Sequence, residues 1–348
     1  MTRIFTAGAE EFDANSVWNK LDVIGGSGEI YDVQRFGKTS YLNTNPRTGR
    51  GLYQVQPATS LFHSFGVDQS KTELFFGFAA NHPNFTAGHF FYAYTDDPDT
   101  WGNYVSIRPN SSGALDVTRT GTSIATSVAG VIVANQWQYY EVWIKPLNSL
   151  GRIIVKVDGV TVIDFTGDTT NEEEFINGFK FTGNAVSALP SLYDDIVVND
   201  ADGAVNNTFP GMVRLLPIFP SLPGTNTAWT RAGVDLGSDE AQMRSGAFEF
   251  SMLQTPDADT LQDSIPDIPD LPAGATITNI VLSARAKVDA GAGVIAPMII
   301  ANGTSDISPD QTLISAWKHY QYAWAVNPDD SAAWDEADLS LLKIGFSS

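Results

Sequence analysis

The fold is decided by residues 136–165, which read QWQYYEVWIKPLNSLGRIIVKVDGVTVIDF. Apolar side chains recur at every second position along its first two arms: Tyr140, Val142, Ile144, Ile153, Val155 and Val157. Asp158-Gly159 then separates Val157 from Val160. Both central residues of a type I′ turn need positive φ, so this dipeptide is a strong hairpin signal. The stretch therefore predicts three consecutive antiparallel strands.

A similar pattern of short apolar runs continues through the first two hundred residues. Short runs of Val, Ile, Phe and Tyr are separated by turn formers, with 30 Gly and 18 Pro in the whole chain. Further strands are predicted at 29–33, 60–67, 72–80, 89–94, 102–107, 114–118, 127–133, 178–181 and 194–198. These runs are apolar on one side only, which favours antiparallel sheets over a parallel one. The sequence predicts an all-β protein.

A polar stretch rich in turn formers at 199–210 predicts a division of the chain. We expect a jelly-roll-like sandwich at 1–199, a linker at 200–211 and a second β-sandwich at 212–348, giving two tandem antiparallel sandwiches. In the second half, strands are predicted at 212–218, from 275, at 294–301, 311–326 and 343–346. One short helix is predicted near the C-terminus, at 329–342, with Trp334, Ala337 and Leu341 on one face.

Composition excludes several function classes. The 348 residues carry 40 acidic and 20 basic side chains, a formal net charge of −20. A surface this acidic repels phosphate, so nucleic acid and an anionic membrane are not expected partners. The chain has no cysteine, which excludes disulfides, thiolate zinc sites and cysteine nucleophiles. No apolar run approaches the roughly 20 residues of a bilayer span, and residues 1–11 lack the apolar stretch of a secretory signal.

No pattern of catalytic residues stands out. None of the four histidines has a paired metal spacing, and Gly-x-Ser-x-Gly is absent, although spacing alone does not exclude a catalytic triad. His63 alternates with Phe62 and Phe65, as a core or sheet-face histidine does. The acidic runs 172–174 and 194–195 are interpreted as solvated clusters, because the paired acids of a glycosidase would share one strand face. We therefore expect a chain that is not an enzyme.

Two candidate binding sites flank one loop. Tyr92, Tyr94, Trp101 and Tyr104 cluster in the sequence and could stack on sugar rings, although most of the 39 Phe, Trp and Tyr side chains must be core. Asp96, Asp97 and Asp99 could offer oxygens to Ca²⁺, although the proline between them suits a plain turn. No other cofactor is expected.

Three segments carry a resemblance in the first half: NQWQYYEVWIK at 135–145, VKVDGV at 155–160 and YDDIVV at 193–198. They resemble the concanavalin A-like lectin/glucanase sandwich, and within it the laminin-G-like domains of phage virion proteins. In the second half, TNTAWT at 225–230, LPAGA at 271–275, IVLSARA at 280–286 and WAVNPD at 324–329 resemble a β-sandwich module of tailed-phage structural proteins. The catalytic Glu-x-Asp-x-Glu of the glucanases maps onto no position here.

The resemblance implies a structural component of a tailed-phage virion, exposed as a capsid decoration, fibre or tail protein. Its partners would be other virion proteins, further copies of the chain in a homo-oligomer, and host-surface glycans. The chain would be made in the bacterial cytoplasm and carried on the particle surface. The alternatives are a carbohydrate-binding module of an adhesin and, ranked last, a polysaccharide hydrolase.

Overall fold

A computed structural model describes most of the 348-residue chain and divides it into two compact units, Met1–Leu215 and Leu216–Ser348. The described residues are 3–7, 39–41, 53–55, 60–65, 70–83, 88, 90–95, 104–170, 173–183, 191–202, 205–216, 218–233, 251–254, 261–268, 270–271, 273–315 and 318–348. Within them, every strand pairing is antiparallel and no helix is long and apolar enough to cross a membrane. The predicted all-β class is confirmed, while the predicted domain boundaries stay a prediction.

The first unit contains fourteen of the described strands. They are β1 (Arg3–Ala7), β2 (Thr39–Tyr41), β3 (Tyr53–Val55), β4 (Ser60–Ser64), β5 (Leu74–Asn81), β6 (Phe91–Tyr94), β7 (Tyr104–Pro109), β8 (Leu115–Arg119), β9 (Thr122–Thr126), β10 (Trp137–Lys145), β11 (Gly151–Val157), β12 (Val160–Gly167), β13 (Gly178–Thr182) and β14 (Ser191–Asp200). An eight-stranded sheet has the order β12-β11-β10-β5-β14-β3-β2, with β1 on β14, and a six-stranded sheet has the order β4-β13-β6-β7-β8-β9.

The two sheets pack face to face through aromatic side chains. Phe78 on β5 lies 4.8 Å from Phe181 on β13 and 5.5 Å from Phe91 on β6, measured between ring centroids. All three rings are almost fully buried. Stacked and edge-to-face aromatic pairs of this kind add about 0.5–1.5 kcal/mol each beyond the area they bury. The first unit is therefore a sandwich with one continuous apolar core.

The hairpin predicted at Asp158-Gly159 is confirmed. Both residues have positive φ, +49° and +80°, and β11 pairs with β12 across them. The Asp158 carboxylate also accepts a hydrogen bond from the backbone N–H of Tyr139 at 2.8 Å, which ties the turn to the neighbouring strand β10. The turn chemistry and the cross-strand contact thus set the same register.

The first half differs from prediction in several places, and strands β1, β2 and β3 were not predicted. Residues 127–133 form turns rather than a strand, because Gly130 takes φ +76° and Val128 is exposed. Strand β9 was not predicted, since its sequence, TSIAT, is polar and lies at a sheet edge. The strand predicted at 29–33 lies outside the described residues.

Residues 205–215 pack against the outer face of the eight-stranded sheet. The ring of Phe209 lies 5.5 Å from that of Phe75 and 6.5 Å from that of Trp143, and the Lys156 ammonium lies 3.6 Å from its centre. The backbone N–H of Gly211 donates to the Glu141 carboxylate at 2.8 Å. We call this segment the strap.

The second unit contains ten described strands and one short helix. They are β15 (Phe219–Thr227), β16 (Thr230–Gly233), β17 (Ser251–Gln254), β18 (Leu261–Asp267), β19 (Ile280–Ala286), β20 (Val294–Ala301), β21 (Thr304–Ile307), β22 (Gln311–Thr312), β23 (Lys318–Trp324), α1 (Glu336–Leu339) and β24 (Lys343–Ser347). The largest sheet has the order β15-β18-β24-β20-β21, and β19 pairs with β23. Their shared core includes Ile280, Ile299, Trp324, Trp334 and Ile344.

Four boundaries in the second unit differ from prediction, one being the strand predicted from 275, which begins at Ile280 as β19. The helix spans Glu336–Leu339 instead of 329–342, because Ser331 takes φ +62° and the capping box of Asp335 and Asp338 starts the helix late. It buries Leu339, while Leu341 is exposed. The described part of 212–218 is irregular, and the single strand predicted at 311–326 is two strands, β22 and β23.

Candidate functional site

Strands β6 and β7 carry a cluster of three tyrosines on the outer face of the six-stranded sheet, and β13 adds a lysine. Phe91 and Ala93 point into the core, so Tyr92 and Tyr94, which alternate with them, point outward. The register places Tyr94 opposite Tyr104 on β7. It also places Tyr92 opposite Lys180 on β13. Residues separated by more than eighty positions in the chain thus meet on one face.

The three tyrosine rings are in mutual contact. The rings of Tyr92 and Tyr94 are nearly parallel, at 7°, with centroids 6.0 Å apart. Tyr104 stands edge-on to both, at 5.1 Å from Tyr92 and 6.2 Å from Tyr94. Tyr92 and Tyr104 are half-buried, and Tyr94 is buried. Tyr92 and Tyr104 are therefore the members that a ligand can reach.

The ammonium group of Lys180 lies over this cluster, 4.3 Å from the ring centre of Tyr92 and 5.1 Å from that of Tyr94. Burial lowers the pKa of Lys180 to about 8. Burial, together with the charge of Tyr104, raises the pKa of Tyr92 to about 12. A lysine that stands over partly accessible rings and has a lowered pKa is a candidate functional residue.

Polar side chains lie next to the tyrosine cluster on the same face of the six-stranded sheet. Next to Tyr92, the hydroxyl groups of Ser106 and Thr118 form a hydrogen bond of 2.7 Å. One row further, Arg108 holds Asp116 through its Nε at 2.8 Å and its second nitrogen at 2.7 Å. Burial works to raise the pKa of Asp116, but hydrogen bonds from Ser123, Arg108 and Thr126 outweigh it and lower that pKa. Arg108 is thus already matched by a carboxylate.

The predicted site residues divide into two groups. The structure brings together Tyr92, Tyr94 and Tyr104. The remaining candidates, Trp101, Asp96, Asp97 and Asp99, lie outside the described residues, so the sugar role of Trp101 and the Ca²⁺ site stay predictions. Within the described ranges, no group of three His, Asp or Glu side chains is arranged to hold a metal ion.

Sequence reasoning did not identify Lys180 as part of the site. The signal that could have found it is the alternation Phe179-Lys180-Phe181 inside the predicted strand 178–181, which is typical of a lysine pointing away from the core. What the sequence did not provide was the pairing of β13 with β6, which places the ammonium over the tyrosines.

The acidic pair 194–195 was wrongly interpreted as solvated. Asp194 and Asp195 are both fully buried, because β14 bulges there and Asp195 takes φ +51°. The Asp195 carboxylate accepts a hydrogen bond from the backbone N–H of Leu215 at 2.8 Å, so it anchors the end of the strap. By contrast, Glu173 and Glu174 are exposed, as expected.

No family model matches the chain, and no curated protein matches it. Solved structures similar to it include alginate lyase Aly36B, at 17% identity, 56% of this chain, 96% of that one and a TM-score of 0.33. The endo-β-1,4-glucuronan lyase of the fungus Trichoderma reesei is 14% identical over 57% of this chain and 95% of that one, with a TM-score of 0.37. A third similar structure is domain 4 of AbnA, a GH43 extracellular arabinanase of Geobacillus stearothermophilus, in complex with arabinotriose. It is 13% identical over 47% of this chain and 76% of that one, with a TM-score of 0.33.

The expectation that the chain is not an enzyme was wrong as stated, because lyases are among these similar structures. At TM-scores below 0.5, however, the likeness assigns no activity, substrate or partner to this chain. The β-sandwich of the predicted concanavalin A-like resemblance agrees with the structure, whereas its phage component stays a prediction.

Proposed function

We propose that the outer face of the six-stranded sheet binds a carbohydrate at Tyr92 and Tyr104. The observation that carries this proposal is the cluster of three tyrosines on a face turned away from the core, two of them accessible. A tyrosine ring offers an apolar plane that covers a sugar ring, and its hydroxyl group serves as a hydrogen-bond partner.

A purely structural cluster is the alternative. Rings that only stabilise the sheet pack against neighbours on every side, as Phe78 does in the core, where it is fully buried. Tyr92 and Tyr104 keep part of their surface in solvent, and the Lys180 ammonium lies beside Tyr92, whereas the hydroxyl groups of Ser106 and Thr118 are buried and bonded to each other. A ring with an apolar plane and an adjacent polar group supports ligand binding better than sheet packing does.

The experiment is a screen of the purified protein against a broad panel of immobilised polysaccharides and oligosaccharides, followed by titration of the ligands that bind. We expect Tyr92→Ala to weaken binding by about tenfold, the effect of losing a central aromatic contact. Tyr322→Ala removes a half-buried tyrosine from the second unit and serves as the matched control.

Thermal unfolding of each variant separates loss of the site from loss of the fold. A well-folded Tyr92→Ala protein that binds sugar as tightly as the wild type contradicts the proposal, as does a wild-type protein that binds nothing on the panel.

The virion role is a separate proposal about where the chain acts, and it rests on the sequence resemblance alone. It is tested by mass spectrometry and antibody labelling of purified phage particles from a host that makes this chain. Detection at a fixed copy number on the particle supports it, and absence from intact particles contradicts it.

A further inference from the structure

We infer that the carbohydrate bound at the tyrosine cluster is an anionic polysaccharide, and that Lys180 binds the negative group of its sugar. The inference rests on the proposed function and adds the class of ligand. The observation behind it is the position of the Lys180 ammonium, which stands over two tyrosine rings and has no carboxylate partner in the described part of the chain.

Among the described residues, no carboxylate pairs with Lys180, although the protein has 40 acidic side chains against 20 basic ones. Two other lysines of the first unit do pair: Lys71 lies 2.9 Å from Asp200, and Lys145 lies 3.6 Å from Glu73, whereas Lys156 lies over the Phe209 ring. The residues opposite Lys180 in the strand register carry no negative charge: Tyr92 on β6 and Phe62 on β4. The site therefore keeps a positive charge available in a chain that is negative overall.

A partly desolvated cation costs free energy unless an anion or strong acceptor compensates it. The two ring faces compensate in part through cation–π attraction. A carboxylate or sulfate on a bound sugar would complete the compensation while the sugar ring contacts Tyr92. The lysine ammonium is a point charge without the paired donors of arginine, so it can bind either a carboxylate or a sulfate.

Lys180 is the group of this site that changes its charge near neutral pH, because the groups facing it are tyrosines. They are Tyr92 and Tyr94 on β6, with Tyr104 on β7 behind them. The pKa of Tyr92, the ring nearest the ammonium, is raised to about 12 by burial and the charge of Tyr104. The nearest described ion pair on this face, Arg108 with Asp116, lies further along the sheet. A pKa of about 8 for Lys180 then means that its charge is lost as the pH rises from 7 to 9.

The first experiment compares matched ligands by titration calorimetry at pH 7. Oligomers of alginate, polygalacturonate and glucuronan are each paired with the carboxyl-reduced form, and dextran sulfate is paired with dextran. We expect at least one charged member to bind at least tenfold more tightly than its neutral counterpart, as a charge-assisted contact does. The pair that shows the difference identifies carboxylate or sulfate as the anion.

The second experiment uses three variants and two pH values. Lys180→Met keeps much of the side-chain volume and should lower affinity for the charged ligand at least tenfold, to near the neutral level. Lys145→Met removes one positive charge from the other sheet and should leave the affinity unchanged. Lys180→Arg keeps its charge above pH 9. Wild-type affinity should fall about tenfold between pH 7 and pH 9, while Lys180→Arg keeps its affinity.

The outcomes separate this inference from the proposed function. Equal affinity for neutral and charged members, with loss in Tyr92→Ala but not in Lys180→Met, overturns the inference and leaves sugar binding at the cluster intact. A similar loss in Lys145→Met and Lys180→Met also overturns it, because general charge would then explain the effect. No binding to any member of any pair overturns both.

Discussion

The Nδ1 atom of His82 lies 3.4 Å from the Oγ atom of Ser191, at the ends of neighbouring strands in the core of the first unit. The other ring nitrogen, Nε2, is buried and has no hydrogen-bond partner among the residues that the structure describes. The ring packs against Phe90 and Tyr193 at 4.6 and 5.9 Å. Burial lowers the pKa of His82 to about 4, so it stays neutral at physiological pH and acts as part of the core.

His82 predicts acid sensitivity of the first unit. Since its pKa is about 6.5 in the unfolded chain and about 4 when folded, the unfolded state binds more protons between these values. The contribution of neutral His82 to the unfolding free energy is therefore fully present above pH 6.5. It is lost as the pH drops towards 4, by up to about 3 kcal/mol. Urea unfolding at pH 7 and at pH 4.5 measures the difference.

His63 adds a second contribution of the same sign, because burial lowers its pKa to about 3. The variants His82→Phe and His63→Phe should each reduce the loss of stability between pH 7 and pH 4.5, and the double variant should reduce it most. Acid loss of wild-type size in the double variant would show that the carboxylates alone cause it.

The strap predicts a stability effect far from the tyrosine cluster. Phe209→Ala removes the ring that contacts Phe75 and Trp143 and that lies beneath the Lys156 ammonium. We expect the unfolding free energy of the first unit to fall by about 1–3 kcal/mol, and cleavage by protease within 205–215 to accelerate. Met212→Ala, at an exposed strap position, is the control and should have little effect.

We expect two substitutions of Asp195 to differ in their effect on the unfolding free energy. Its backbone lies in the left-handed region, where asparagine is tolerated better than alanine, and its carboxylate accepts the Leu215 N–H. Asp195→Ala should cost about 2–4 kcal/mol of unfolding free energy and Asp195→Asn clearly less. Chemical denaturation of the two proteins measures this order, and equal costs would contradict the account of the bulge.

In the second unit, the fully buried Asp263 supports the irregular strand β15. Its carboxylate accepts hydrogen bonds from the backbone N–H groups of Thr225 and Asn226 at 2.6 and 3.2 Å. Asp263→Ala leaves these donors unsatisfied and should destabilise the second unit by about 2–4 kcal/mol. Unfolding followed by hydrogen exchange should show the loss in 216–348 alone, whereas equal loss in both units would contradict this account.

The parts of the fold that the sequence predicted are those set by local chemistry. The alternation around Tyr140 and the turn at Asp158-Gly159 depend only on side chains a few positions apart. Strand β9 was missed because its polar edge position gives no apolar period. The helix was predicted too long because it included Asp329, Asp330 and Ser331, which belong to a turn.

The site was predicted only in part for a different reason. Tyr92, Tyr94 and Tyr104 are close in the chain, so a sequence cluster was enough to suggest them. Lys180 joins them through long-range pairing of β13 with β6. The burial of Asp195 likewise depends on the strap and a local bulge. Contacts of this kind follow from tertiary packing and not from any local pattern.

The most direct measurement of the central claim is a crystal structure of the protein with its tightest-binding acidic oligosaccharide. The account predicts a sugar ring against Tyr92, with its carboxylate or sulfate within hydrogen-bond distance of the Lys180 Nζ atom. A sugar seated elsewhere, on the eight-stranded sheet or on the second unit, with the tyrosine cluster empty, would contradict it.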